Sequence, residues 1–104
     1  MGKKANLVKE LRKFMKEVNL SVDQVYLFGS QATGKAGKGS DVDLLLVSKS
    51  FAGKRKLKRA PPFYLKWNLD YPVDFICLTP EEFRQRKKET GVVQEAVKKG
   101  IKIV

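Results

Sequence analysis

Two aspartates, Asp41 and Asp43, stand two positions apart at the start of an apolar run that continues to Val47. On a β-strand alternate side chains point to the same face, so the two carboxylates would project side by side. At about 5 Å and an effective dielectric constant of about 20, two such charges repel by about 3 kcal/mol. A cation between them offsets this repulsion, and ligands that are all oxygen favour magnesium or manganese. The spacing therefore predicts a divalent-metal site.

A glycine–serine pair, Gly29-Ser30, follows the apolar residues 25–28, and ten residues separate it from Asp41. Glycine has no Cβ, so a phosphate can approach its backbone closely. A helix that begins at Ser30 would also direct free N–H groups and a hydroxyl at the same anion. A phosphate held here and a metal held by the aspartates together indicate a nucleoside triphosphate.

The stretch between the pair and the aspartates is rich in glycine and carries Lys35 and Lys38, which predicts a loop. Either lysine could reach a triphosphate, and either could equally be a solvated loop residue.

A third acid, Asp74, stands early in the apolar residues 73–78, within a strand that we predict over residues 71–78. If this strand lies beside residues 41–47, Asp74 joins the other two carboxylates. The alternative is an edge-strand residue that faces water. All three aspartates fall at predicted strand starts, and this agreement favours the shared site.

The remaining elements follow from periodicity and capping. Residues 3–18 predict an amphipathic helix, residues 22–28 and 42–47 two strands, and the second strand is apolar enough to be covered on both faces. A short helix is expected over residues 62–69. Thr79 and Glu82 form a capping-box pattern for a helix to about Lys88. A last helix over 91–99 should pack four residues, end at Gly100 and precede a terminal strand; the four are Val92, Val93, Ala96 and Val97.

Composition limits the classes of function. The length of 104 residues favours a single domain, residues 1–104, and 42% hydrophobic with 32% charged residues is typical of soluble globular proteins. The sequence has no histidine, which excludes Ser-His and Cys-His catalysis, and its single cysteine, Cys77, predicts a buried, inert thiol. No apolar run is long enough for a membrane span, so we expect a cytoplasmic protein.

The net charge is +11, from 22 Lys and Arg against 11 Asp and Glu. This excess favours polyanionic partners, although a solvated surface explains most of the lysines. The basic run over residues 54–59 has two open interpretations, contact with nucleic acid or an acidic partner, and an exposed loop.

In this order and spacing the motifs resemble the minimal nucleotidyltransferases of the DNA polymerase beta superfamily. The pattern of that family is Gly-Ser, a spacer, Asp-x-Asp and a third Asp on a later strand, which corresponds here to Gly29-Ser30, Asp41, Asp43 and Asp74. The resemblance extends over nearly the whole chain. It implies a small α/β (α+β) fold, in which a mixed β-sheet is backed by helices.

The resemblance also implies transfer of a nucleoside monophosphate that requires magnesium, with two ions expected. Asp41 and Asp43 would bind the metals, Asp74 would bind one metal and activate the acceptor hydroxyl, and Gly29-Ser30 would hold the triphosphate. Many relatives carry arginines at the positions of Gln31 and Thr33. Two positive charges near the phosphates are therefore missing, which leaves Lys35 or Lys38 as substitutes.

Stand-alone domains of this size resemble the antitoxin of a two-gene toxin–antitoxin pair whose toxin is a HEPN-domain ribonuclease. That resemblance implies transfer of AMP from ATP to a tyrosine of the toxin. Two alternatives stay open: a catalytically silent antitoxin or RNA-binding module that acts by binding alone, and a transferase for an RNA or small-molecule hydroxyl. A protein partner is favoured over nucleic acid, and no membrane contact is expected.

Overall fold

The computed structural model describes residues 3–34 and 41–104. In this part of the chain, four strands form one mixed sheet in the order β3-β2-β1-β4. Strand β2 pairs antiparallel with β1 and parallel with β3, and β4 pairs antiparallel with β1. The predicted fold class, a mixed sheet with helices, is confirmed. The strands are β1 (Gln24–Phe28), β2 (Val42–Val47), β3 (Val73–Leu78) and β4 (Ile101–Lys102).

Helices connect the strands and cover the sheet. They are α1 (Lys3–Glu17), α2 (Ser30–Thr33), a 3₁₀ turn (Lys49–Phe51), α3 (Lys56–Arg59), α4 (Pro61–Lys66), α5 (Pro80–Lys87) and α6 (Val92–Lys99). The first helix ends where Asn19 adopts a left-handed φ of 55°, a conformation that asparagine tolerates well. The helix predicted over residues 62–69 corresponds to α4, which begins one residue earlier, at Pro61, and ends three residues earlier, at Lys66. None of the helices in the described ranges is long and apolar enough to cross a bilayer.

Strand β2 lies at the centre of two cores because its side chains alternate between the faces of the sheet. Val42, Leu44 and Leu46 pack with α1 and the 3₁₀ turn on one face. Leu45 and Val47 pack on the other face with residues of α5 and α6. The predicted coverage of this strand on both faces is confirmed. By the same alternation, Asp43 lies on the α5 and α6 face.

The outer edge of β3 is closed by side chains from α3 and α4. The Arg59 Nη1 donates a hydrogen bond to the Cys77 carbonyl at 3.2 Å, and the Phe75 N–H donates to Tyr64 Oη at 3.2 Å. Unpaired backbone groups on an edge strand invite pairing with other chains, and these two contacts satisfy part of that edge. The connection between β2 and β3 therefore protects the strand that it leads into.

The interpretation of the basic run needs one correction. Residues 54–58 are exposed, but Arg59 is only 6% exposed and pairs with Glu82 at 2.6 Å. Its guanidinium also donates to the Lys54 carbonyl. A buried guanidinium requires such partners, because an unpaired charge in the interior is costly. The last four residues of the run form helix α3, and the final one, Arg59, has a structural role in the interior.

Two smaller predictions can be compared with the structure. In α6, Val93 and Ala96 are buried, whereas Val92 and Val97 are 45% and 37% exposed, so the expected packing of all four was wrong for the two that flank the buried stripe. Cys77 is buried, as predicted. Burial raises the pKa of its thiol to about 12, which keeps it protonated and unreactive.

Candidate active site

The backbone register brings the predicted site residues to one end of the sheet. Asp43 is paired with Phe28 on its β1 side and with Asp74 on its β3 side. Neighbouring strands lie about 4.8 Å apart, so Asp43 and Asp74 are direct cross-strand neighbours. The Val42 N–H also donates to the Pro72 carbonyl at 2.8 Å, which fixes the start of β2 against the start of β3. The predicted juxtaposition of Asp43 and Asp74 is confirmed at the level of strand register.

Asp43 is partly buried, whereas Asp41 and Asp74 are exposed. Burial raises the pKa of the Asp43 carboxyl, and the negative charges of Asp74 and Asp41 raise it further. Each of these influences penalises the ionised form of Asp43. A cation beside the group would act in the opposite direction, so the electrostatics of this corner favour positive charge.

The glycine turn lies against the same carboxylate. Gly29 has φ 76° and ψ −159°, a conformation that side chains rarely adopt. A Cβ built on it would lie 2.5 Å from Asp43 Oδ2, which is far inside van der Waals contact. Glycine is therefore favoured here by the backbone conformation, and an added Cβ would require the Asp43 carboxylate to shift; Asp43 sits directly beside the turn that we predict to hold a phosphate.

The residues after the turn form the one-turn helix α2. The N–H groups of Ala32 and Thr33 donate to the Gly29 carbonyl at 3.1 and 3.2 Å. A helix does begin at Ser30, the condition on which the anion site was argued, and it ends at Gly34, where φ is 79°. The two lysines proposed as phosphate contacts, Lys35 and Lys38, lie outside the described residues.

The donor set suits a hard divalent cation, because the side chains gathered here are carboxylates. Within residues 3–34 and 41–104, no three acidic, histidine or cysteine side chains are grouped closely enough to hold a metal ion as they stand. Asp41 and Asp74 are exposed and are not gathered with Asp43 into one metal site in this structure. The residue types alone fit magnesium.

One positioning residue was not anticipated from the sequence. The hydroxyl of Tyr64 accepts the N–H of Phe75, the residue that directly follows Asp74, and the two rings pack edge to face with centroids 4.9 Å apart. Tyr64 thus fixes the strand that carries the third aspartate. The sequence around it gave no usable periodicity because two prolines interrupt the helix before it.

The comparison with known families covers nearly the whole chain. Residues 8–103 match the nucleotidyltransferase domain family. The chain belongs to this family. Its general chemistry is nucleotidyl transfer, and the family part of the resemblance inferred from the Gly-Ser and aspartate motifs is confirmed. A comparison with curated proteins finds no match.

Two solved structures are similar to this nucleotidyltransferase domain. One is a candidate nucleotidyltransferase from Sulfolobus solfataricus, with a TM-score of 0.68 and 24% identity over 98% of this chain and 87% of that chain. This likeness supports the fold. The other, also described as a candidate nucleotidyltransferase, is 31% identical over 79% of this chain and 88% of its own length, with a TM-score of 0.51.

Proposed function

We propose that this nucleotidyltransferase domain transfers AMP from ATP to a hydroxyl group in a reaction that requires magnesium. One observation carries the proposal: the partly buried Asp43 lies between the Gly29 turn and the neighbouring strand's Asp74. The turn proposed to receive a phosphate and two of the proposed metal-binding carboxylates thus lie side by side. The raised pKa of Asp43 reflects burial and like charge, and a bound cation would relieve both.

In the proposed reaction, Asp41, Asp43 and Asp74 would hold the metal, and Gly29-Ser30 would receive the triphosphate. The positive charge of a metal held there would stabilise the attacking and leaving oxygens. A new bond forms between the acceptor oxygen and the α-phosphorus, and the bond from that phosphorus to the bridging oxygen of pyrophosphate breaks. Asp74, which is exposed, accepts the proton of the acceptor hydroxyl.

We further propose that the acceptor is a tyrosine of a partner HEPN-domain toxin and that the transfer makes this chain an antitoxin. The support is the resemblance to antitoxins of this type, together with two features of the molecule. Asp41 and Asp74 are exposed, so the site is open to a hydroxyl on another macromolecule. The net charge of +11 would also favour a partner with an acidic face.

The experiment that tests this proposal incubates the purified chain with a HEPN-domain protein from the same organism, Mg²⁺ and α-labelled ATP, followed by a denaturing gel. We expect label on the HEPN-domain protein, lost with a chelator and in Asp43→Asn. The matched control is Asp23→Asn at the far end of β1, where the amide keeps an oxygen to accept the Lys49 N–H.

Other outcomes would redirect the proposal. A stable complex that carries no label would favour an antitoxin that acts by binding alone. Labelled RNA, or a labelled small molecule formed without the protein partner, would contradict the protein acceptor but keep nucleotidyl transfer.

A further inference from the structure

Two leucines in the connection between β2 and β3 are almost fully exposed. Leu57 in α3 is 86% exposed and Leu65 in α4 is 87% exposed. Four other large hydrophobic side chains in the described ranges are between 37% and 47% exposed: Tyr64, Val92, Val97 and Val104. An isolated exposed leucine is ordinary on a soluble protein, but a patch of them commonly marks a binding surface. Their relative position therefore decides how to interpret them.

The two leucines share one outward face. Ala60, between α3 and α4, has helical dihedral angles of φ −80° and ψ −34°, so the two short helices continue in nearly one direction. Arg59 and Phe63, four residues apart, are buried and define the inward face. Residues 57, 61 and 65 follow the same four-residue spacing on the opposite side, and all three are exposed. The stripe Leu57–Pro61–Leu65 is apolar and faces solvent.

The surroundings of this apolar stripe are strongly basic. Residues 49–69 contain seven Lys and Arg and no Asp or Glu. Arg59 is paired with Glu82, and the other basic residues near the stripe are exposed: Lys54, Arg55, Lys56, Lys58 and Lys66. An apolar centre with a charged rim is the usual anatomy of a protein interface. The complementary partner is a protein with an apolar patch inside an acidic rim, since phosphates gain nothing from leucine side chains.

This surface adjoins the strand that carries the proposed proton acceptor. The hydroxyl of Tyr64, the neighbour of Leu65 in α4, accepts a hydrogen bond from the Phe75 N–H, and Phe75 directly follows Asp74. We propose that the acceptor protein docks on the stripe Leu57–Pro61–Leu65 and its basic rim, and reaches around the edge of the sheet to Asp74, which lies on the opposite face of β3 from Phe75. The inference deepens the proposed function and rests on it for the identity of the partner.

The test measures label transfer against the concentration of the HEPN-domain protein for Leu57→Ser/Leu65→Ser. The matched control is Val92→Ser/Val97→Ser, which removes two exposed apolar side chains from α6 on another part of the surface. We expect the leucine variant to raise KM for the acceptor protein by about 10- to 100-fold, with kcat and the KM for ATP unchanged. The control should match the wild type, and thermal melts verify that both variants fold.

The outcomes separate this inference from the proposed function. Transfer with an unchanged acceptor KM in the leucine variant would overturn the docking surface and leave the transferase intact. If the wild type transfers no label, calorimetric binding of the same HEPN-domain protein decides. Binding that the leucine variant loses would support the surface without transfer, and absence of binding would overturn it.

Two other occupants of the surface are also tested. A wild-type dimer in sedimentation that the leucine variant dissociates, with unchanged acceptor KM, would assign the stripe to a second copy of this chain and overturn the proposal. Retention of a labelled single-stranded RNA that is lost in Lys54→Glu/Lys56→Glu, and kept in the leucine variant together with acceptor binding, would assign the rim to RNA and likewise overturn it.

Discussion

At the scale of single residues, Asp43 is confined between a glycine backbone and a second carboxylate. The space on its β1 side exists only because position 29 has no Cβ. On its β3 side it faces Asp74 in register. An added atom at Gly29 would force the Asp43 carboxylate to shift toward its other neighbours, so substitutions at either neighbour should have measurable consequences.

Gly29→Ala should destabilise the fold by about 2–3 kcal/mol, because it combines a left-handed φ with a collision against Asp43. Gly53→Ala is the matched control, since Gly53 has φ 79° with open space where the Cβ would lie, and it should cost about 1 kcal/mol. Urea denaturation measures both. Equal losses in the two variants would mean that the contact with Asp43 carries no cost.

Asp43→Asn should stabilise the metal-free protein, because it removes a partly buried charge from between like charges. With magnesium present the wild type should be more stable than Asp43→Asn, since the wild type gains stability from the bound ion and the variant does not. Nucleotidyl transfer should fall by about 10²- to 10³-fold.

Thermal melts with and without magnesium measure the stability effects of Asp43→Asn, with Asp23→Asn as the control. An equal rise in melting temperature for wild type and Asp43→Asn on adding magnesium would contradict a role for Asp43 as a ligand.

At the scale of elements, Glu82 connects α5 to α3. Its carboxylate accepts from Arg59 at 2.6 Å and from the Thr79 N–H at 2.9 Å, while the Glu82 N–H donates to Thr79 Oγ1. The hydrogen bond from Arg59, followed by that from Thr79, lowers the pKa of Glu82 from 4.5 to about 2. The capping box predicted from Thr79 and Glu82 is confirmed, and the ion pair is an addition that only the tertiary structure reveals.

Because the pKa of Glu82 is lowered on folding, its contribution to stability is fully present above about pH 4.5 and is lost as the pH falls toward 2. Glu82→Gln retains a capping-box side chain but removes the charge, and it should cost about 1–2 kcal/mol at pH 7. Urea midpoints from pH 7 to pH 2 should show the variant and the wild type converging at the acid end.

The control for this pH series is Glu81→Gln in the same first turn of α5, which changes the same charge at an exposed position. A constant gap between wild type and Glu82→Gln across the whole range would contradict the ionic origin of the interaction.

Elements with a clear local signal were predictable. The stripe of α1, the alternation of β2 and the capping box of α5 depend on neighbouring residues, and each lies close to its predicted place. The segment over residues 54–69 was not predictable, because the position of Arg59 depends on Glu82, 23 residues away in sequence. The exposure of Val92 and Val97 was missed because helical periodicity does not set the width of the buried stripe.

The candidate site, like the fold, was predictable from the sequence only in part. The residue types and the spacing of Gly29-Ser30, Asp41, Asp43 and Asp74 carry the family resemblance, so these candidates could be named from the sequence. The contact between Gly29 and Asp43 depends on the antiparallel pairing of Phe28 with Asp43. Which strands pair with each other is a tertiary property that the periodicity of a single strand does not specify.

At the scale of the whole molecule, helices cover both faces of the sheet, and Asp41 and Asp74 are exposed at one end of it. One core packs against α1 and the other against α5 and α6. The basic α3–α4 surface contacts the edge strand β3 at Phe75, which packs on the α1 face of the sheet. Asp74 lies on the other face of the same strand, so an acceptor that contacts both must extend around the edge of the sheet, which suits a folded protein.

The central claim is that Asp43 supports transfer of a nucleoside monophosphate rather than of a phosphoryl group. The most direct measurement runs parallel reactions with α-labelled and γ-labelled ATP, magnesium and the HEPN-domain protein. We expect the α-label on the acceptor, the γ-label in pyrophosphate, and neither product with Asp43→Asn. Transfer of the γ-label to the acceptor, or undiminished transfer of the α-label by Asp43→Asn, would contradict the claim.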